Sequence, residues 1–199
     1  MIARTPQEIR ALFDRWRSHR GRTLVAIDHS NVRRWQDALG WEVSVTDLGH
    51  MASLFAGHAS LRRFYCAADF GPDWRSMDLR DHSKELITAA TASGFEAIAK
   101  RVKYIREPEG YAMKCDLDIE IVTDLFAMKD AYDRIVLFSG DGDFVPALAH
   151  LNQEYGKEIV VIGAAGRIGR EIFDAHTSGV VSTIIYADDL KHQLDGWWS

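Results

Sequence analysis

Short apolar runs alternate with stretches in which apolar residues recur every three or four positions, almost from end to end of the chain. Ile9, Leu12, Phe13 and Trp16 make one helical stripe. Thr5-Pro6-Gln7-Glu8 before it has a hydroxyl cap, a first-turn proline and a glutamate three residues on, and Gly21 stops it. Thr23 to Ile27 then reads as a strand ending at Asp28. Helix is predicted for Asp47 to Phe55, strand for Leu61 to Cys66, helix for roughly Trp74 to Ser93, and strand for Phe95 to Ile105. Arg106-Glu-Pro-Glu-Gly110 has turn chemistry and makes a hairpin tip or a mobile loop. Leu117 to Met128 is a predicted helix, Arg134 to Phe138 a strand and Phe144 to Tyr155 a helix. Ile159 to Ile162 follows as a strand, then a short helix near Arg167 to Ala175, a strand at Thr183 to Tyr186 and a terminal helix from Asp188. Such alternation predicts an α/β fold, a mainly parallel sheet with helices on both faces. Residues 1–22 read as an amino-terminal amphipathic helix and 23–199 as the α/β domain with a carboxyl-terminal helix.

Where the strands end, the acids begin. Ile135 to Phe138 stops abruptly in Ser139-Gly-Asp-Gly-Asp143, and the first strand stops at Asp28, with Ser30 and Asn31 just beyond. In open α/β sheets that edge is where ligands bind. A third group, Asp116, Asp118 and Asp124, surrounds the start of the Leu117 helix; Asp118 is the preferred ligand, with Asp116 and Asp124 in support. Each piece has a plainer account. Asp28 serves equally as a turn cap, Asp143 as the cap of the Phe144 helix, and one of Asp116 and Asp118 as another cap. Asp141, after a glycine at a strand end, has no such alternative. Parallel strands share a carboxyl edge, so Asp28 and Asp141 can converge although 113 positions apart, and with Asp118 and Asp143 four carboxylates would crowd one cleft. Two such charges ~4 Å apart repel by about 4 kcal/mol at an effective dielectric of ~20. A hard divalent cation relieves that repulsion and works on phosphate oxygens, which points to phosphodiester hydrolysis. One of the four acids, or a metal-bound hydroxide that it orients, would activate the attacking water.

These residues resemble a known family. Asp28-x-x-Asn31 after the first strand, Lys114 and Asp118 with Asp124 at a helix start, and Ser139-Gly-Asp-Gly-Asp-Phe144 look like the NYN domain, with similarity from about Thr23 to Tyr186. That domain belongs to the PIN-like nuclease superfamily, and its bacterial branch is called LabA-like. The resemblance implies a three-layer α/β/α PIN-like fold and an (endo)ribonuclease dependent on magnesium or manganese, acting on single-stranded RNA. Asp28, Asp118, Asp141 and Asp143 would form the metal site, Asn31 would assist, and Lys114 would lie near the substrate phosphate. Two features depart from the pattern. Cys115 stands where glycine often follows the lysine, and the middle acid is open among Asp116, Asp118 and Asp124. A non-catalytic RNA-binding or regulatory module, or a nucleotide phosphohydrolase, would use the same acids.

Composition changes this picture little. The formal charge of −5 does not exclude a nucleic acid, because Arg33-Arg34, Arg62-Arg63 and Lys100-Arg-Val-Lys103 form local basic stretches. Arg33, Arg34, Ser139 and Arg167 are therefore expected on the substrate side, and Trp35 is the candidate for stacking on a base. Gly163-Ala-Ala-Gly166-Arg-Ile-Gly169 lacks dinucleotide-site spacing and reads as a loop beside the acids, with Arg167 or Arg170 meeting phosphate. The eight histidines show no zinc pattern. Cys66 and Cys115 fit a reducing cytoplasm as small hydrophobes. No apolar run is long enough to cross a bilayer and no signal core opens the chain, so a cytoplasmic protein is expected. Trp197-Trp198 reads as an apolar end for docking, and a homodimer would lengthen the basic groove.

Overall fold

A computed structural model describes residues 5–18, 21–55, 60–69, 77–108 and 110–195. Trp74 and the Trp197-Trp198 end lie outside the described residues. The helices are α1 (Pro6–Ser18), α2 (His29–Val32), α3 (Gln36–Leu39), α4 (Val45–Phe55), α5 (Met77–Ala92), α6 (Asp118–Ala127), α7 (Val145–Tyr155), α8 (Arg170–Thr177) and α9 (Ala187–Asp195). The strands are β1 (Thr23–Asp28), β2 (Ser60–Ala68), β3 (Glu96–Arg101), β4 (Lys103–Glu107), β5 (Gly110–Lys114), β6 (Arg134–Phe138), β7 (Glu158–Gly163) and β8 (Thr183–Tyr186).

Six strands form one sheet in the order β3-β2-β1-β6-β7-β8, and every pairing in it is parallel. All residues of β1 and β6 are buried, as expected for strands covered on both faces. Alternation along the strands separates two cores. Val25, Ile27, Val136 and Phe138 face α1, α4, α5 and α9, whereas Leu24, Ala26, Ile135 and Leu137 face α6, α7 and α8. The result is a three-layer α/β/α arrangement.

Helix α1 belongs to the first of these cores. Thr5 and Glu8 cap it reciprocally: the Glu8 carboxylate accepts from the Thr5 backbone at 2.6 Å, and the Glu8 N–H donates to the Thr5 hydroxyl at 3.3 Å. Its stripe is buried, with Phe13 and Trp16 packing on Phe55 at ring separations of 5.2 and 5.1 Å.

The segment predicted as one strand from Phe95 to Ile105 is two. β3 stays in the sheet to Arg101, Val102 donates its N–H to Ala68, and the chain then leaves as a separate antiparallel ribbon of β4 and β5. Of the two readings of this turn chemistry, the hairpin is the one observed: Glu107 pairs with Gly110. Continuous β-type sequence cannot mark such an exit, because it depends on what the strand pairs with.

Sheet order places the site. From β1 the chain winds outward through β2 and β3, then returns to the other side of β1 with β6 and continues through β7 and β8. The order reverses between β1 and β6, and their carboxyl ends flank the crevice such a switch point opens.

Candidate active site

Asp28 is the last residue of β1 and is 4% exposed. Its backbone is extended, and its Oδ1 accepts from the Asn31 N–H at 3.1 Å, capping α2. Its Oδ2 accepts from the Ser139 hydroxyl at 3.0 Å, across the junction between β1 and β6. Burial raises the Asp28 pKa above the ordinary carboxylate value, the Asn31 and Ser139 hydrogen bonds oppose that, and the Asp141 charge adds to it.

The Ser139 hydroxyl, fully buried, also accepts from the Asp141 N–H at 3.2 Å. Asp141 in turn caps the 3-10 turn Gly142–Phe144, accepting from the Asp143 N–H at 3.0 Å. The capping role expected of Asp143 therefore belongs to Asp141. Asp143 itself is exposed and does not line the cleft.

Gly140 fixes this turn against the next loop. Its carbonyl accepts from the Gly169 N–H at 2.8 Å and its N–H donates to the Asn31 side-chain oxygen at 3.0 Å. A Cβ at Gly140 would run into the Arg167 carbonyl. The glycine-rich segment thus serves as packing behind the acids. The Arg167 side chain turns to Asp37, 3.3 Å away, outside the cleft lining.

Helix α6 brings the third group. Asp116 accepts from the Asp118 N–H at 3.0 Å, which holds the Asp116 carboxyl below its usual range. Asp118 is pushed up to about 7, first by burial and then by the charges of Asp116, Asp28 and Asp141. Acids from three separate segments therefore feel one another. Asp124 instead accepts from the Tyr65 hydroxyl at 3.1 Å and does not line the cleft. Lys100, read from the sequence as part of a basic stretch for phosphate, and Glu120, which sequence reasoning missed, steady this end. Lys100 Nζ donates to the Asp116 carbonyl at 2.6 Å and pairs with Glu120 at 2.7 Å. No motif flags that pair, because it joins the end of β3 to α6 through tertiary packing alone.

The cleft has a volume of about 290 Å3, with Asp28, Asp116, Asp118 and Asp141 in its lining and Asn31, Arg34 and Lys114 beside them. Arg33 lines an adjoining hollow. Trp35 is fully buried, its indole N–H donating to the Asn31 Oδ1 at 2.9 Å, so it holds Asn31 and cannot stack on a base. The oxygen donors and their mutual repulsion suit a hard divalent cation. Among the described residues, however, no three His, Cys, Asp or Glu side chains are drawn together as a ready-made ligand set.

The NYN domain family matches residues 22–183. The chain belongs to that family. The NYN domain is part of the PIN-like nuclease superfamily, so the fold is of nuclease type. Within the chain, the NYN match takes in β1 to β7, the hairpin and all the acids of the cleft, and leaves α1 and α9 outside. One relative is the "Low amplitude and bright protein LabA" of Synechococcus elongatus (strain ATCC 33912 / PCC 7942 / FACHB-805), 38% identical over 90 residues. That alignment covers 44% of this chain and 48% of LabA, about half the length of the relative. Among solved structures, a protein of unknown function, VPA0982, from Vibrio parahaemolyticus RIMD 2210633 shares the NYN chain's fold with a TM-score of 0.63 at 22% identity. The likeness covers 86% of this chain and 96% of that one. A mutant T5 5'-exonuclease is more distant, with a TM-score of 0.45 at 15% identity, covering 78% of this chain and 57% of its own. Among the described residues no helix is long and apolar enough to cross a membrane.

Proposed function

We propose that this NYN domain is a divalent-metal-dependent ribonuclease that hydrolyses phosphodiester bonds in single-stranded RNA. The observation that carries the reading is the convergence of Asp28, Asp118 and Asp141 in one cleft at the switch point, where burial first, and then the charges of Asp116, Asp28 and Asp141, push Asp118 up to about 7. Asp28, Asp118 and Asp141 would hold the ion, directly or through its waters, whereas Asp143 stays exposed outside the cleft lining. Magnesium or manganese bound there would supply positive charge at the phosphate and a water of lowered pKa. Among the described residues no three such acids are already drawn together, and magnesium usually keeps several waters and takes only one or two carboxylates directly.

The chain's own residues would do the rest. Asp118, whose carboxyl is pushed well above the ordinary range, suits acceptance of the proton from attacking water. Asp116 stays ionised and adds negative potential. Lys114 and Arg34 would hold the substrate phosphate, which the acids alone would repel. Ser139 and Asn31 keep the two strand ends in register through hydrogen bonds to Asp28, Gly140 and Asp141.

The test is cleavage of labelled RNA and DNA with magnesium, manganese or chelator, run beside Asp141→Asn. RNA should be cut only with metal. The variant should lose at least ~100-fold in rate with its melting temperature equal or higher, since asparagine keeps the cap. Turnover that persists in chelator would overturn the reading. That no ready-made ligand set is found among the described residues favours one rival, a non-catalytic RNA-binding module; RNA retained uncut across all metals would select it. A preference for mononucleotides over oligoribonucleotides would select a nucleotide phosphohydrolase.

A further inference from the structure

Past Arg34 the acidic cleft has a neighbour. A second hollow of about 210 Å3 shares Ser30, Arg34, Met113 and Cys115 with it, so the two adjoin along those residues. Its chemistry is different. Arg33 and Arg34 bring cations to it, His82 lies beside them, and Leu86, Val102 and Met113 give it an apolar wall. His29 and Arg33 lie close enough for the guanidinium charge to bear on the imidazole, which burial already keeps neutral at pH 7. Asp69, 1% exposed, takes the Tyr104 hydroxyl on its carboxylate at 2.6 Å, and its N–H donates to the Ser83 hydroxyl at 3.1 Å. It ties the hairpin and α5 to the end of β2 and so fixes the walls of the hollow.

An apolar wall beside two guanidinium groups suits a ligand with a flat, weakly hydrated face joined to a phosphate. Its place beside a cleft that handles phosphodiesters narrows the ligand further. We propose that this hollow is a nucleotide subsite of the active site: it takes the base next to the scissile phosphate against Leu86, Val102 and Met113, and that nucleotide's own phosphate on Arg33 and Arg34. The subsite rests on reading the acidic cleft as a phosphodiester centre, yet it can be tested by binding alone. It gives the enzyme a grip on the base as well as the backbone. A strand would also be held to one side of the acids, where no carboxylate but Asp69 is among the described lining residues.

The experiment uses the full chain in chelator, with a short labelled oligoadenylate and an abasic ribose-phosphate chain of equal length, both read by fluorescence anisotropy. The wild-type protein should bind the oligoadenylate about tenfold more tightly, the usual scale of one base contact. Val102→Trp fills the hollow and should abolish that preference; Arg33→Ala should weaken both chains several-fold. Neither variant should change manganese binding at the acidic cleft. Equal affinity of the wild-type protein for the two chains would overturn the proposal, as would a folded Val102→Trp protein that keeps the preference. If Val102→Trp does not fold, unchanged binding by Arg33→Ala overturns it instead. A base preference without any cleavage would count against the hydrolytic reading and leave the subsite standing.

Discussion

A single hydroxyl links the two strand-end acids. Ser139 donates to Asp28 and accepts from the Asp141 backbone, with no exposure to water. Ser139→Ala would leave a buried carboxylate short of a donor and a backbone N–H short of an acceptor, at a cost of about 1–3 kcal/mol. We expect a lower urea midpoint and weaker manganese binding; an unchanged midpoint would mean that water replaces the hydroxyl. Asp118 makes a second residue-scale prediction. Its folded pKa, about 7, lies above the ordinary 3.8, so between those values the folded protein keeps a proton that the unfolded chain has lost. Stability from this group therefore falls as pH rises through that window. In chelator, Asp118→Asn should raise the melting temperature at pH 8 and make no difference near pH 4. Solvent screening cuts the relief to about 1 kcal/mol, or ~2–4 °C. The strand-end positions of Asp28 and Asp141 were legible in the sequence, because an apolar run that stops at an acid marks a sheet edge. The Asp116, Asp118 and Asp124 register was not, since only the Tyr65 hydroxyl reveals that Asp124 faces elsewhere. Trp35 was misread for a related reason: beside two arginines it looks exposed, but four residues after Asn31 its indole turns inward to that side chain.

Among the elements, the loops that hold the acids pack closely on the 163–169 loop. Gly140 is the point of closest approach, where even a methyl group meets the Arg167 carbonyl. Gly140→Ala should therefore force the 163–169 loop away and cost about 1–3 kcal/mol, read as a lower urea midpoint with reduced metal binding. Wild-type behaviour would show that the loop yields easily. Strand and helix types were legible wherever an apolar period ran cleanly, as in β6, α7 and β8. The short helices α2 and α3 were not, being too short to display a period. The fate of the Gly163–Gly169 stretch also depended on tertiary contact, since its glycines answer to Gly140 and Ile168 rather than to a ligand.

For the molecule as a whole, one sheet with two unlike faces carries the stability. The face that receives α1 closes with Phe13, Trp16 and Phe55, although α1 precedes the region matched by the family. Phe13→Ala should cost about 3–5 kcal/mol, so trimming the chain to the family boundary should leave a weakened or aggregating protein. A trimmed domain as stable as the full chain in urea would refute that. The hairpin stands apart from this arrangement. It shares no ladder with the six-stranded sheet, yet Met113 and Lys114 reach the cleft from it. Its backbone can consequently be exchanged as a cassette: a ribbon of different length or chemistry, grafted between Arg101 and Cys115 with Val102 and Tyr104 kept, would retune what the cleft selects while preserving the ties to Ala68 and Asp69.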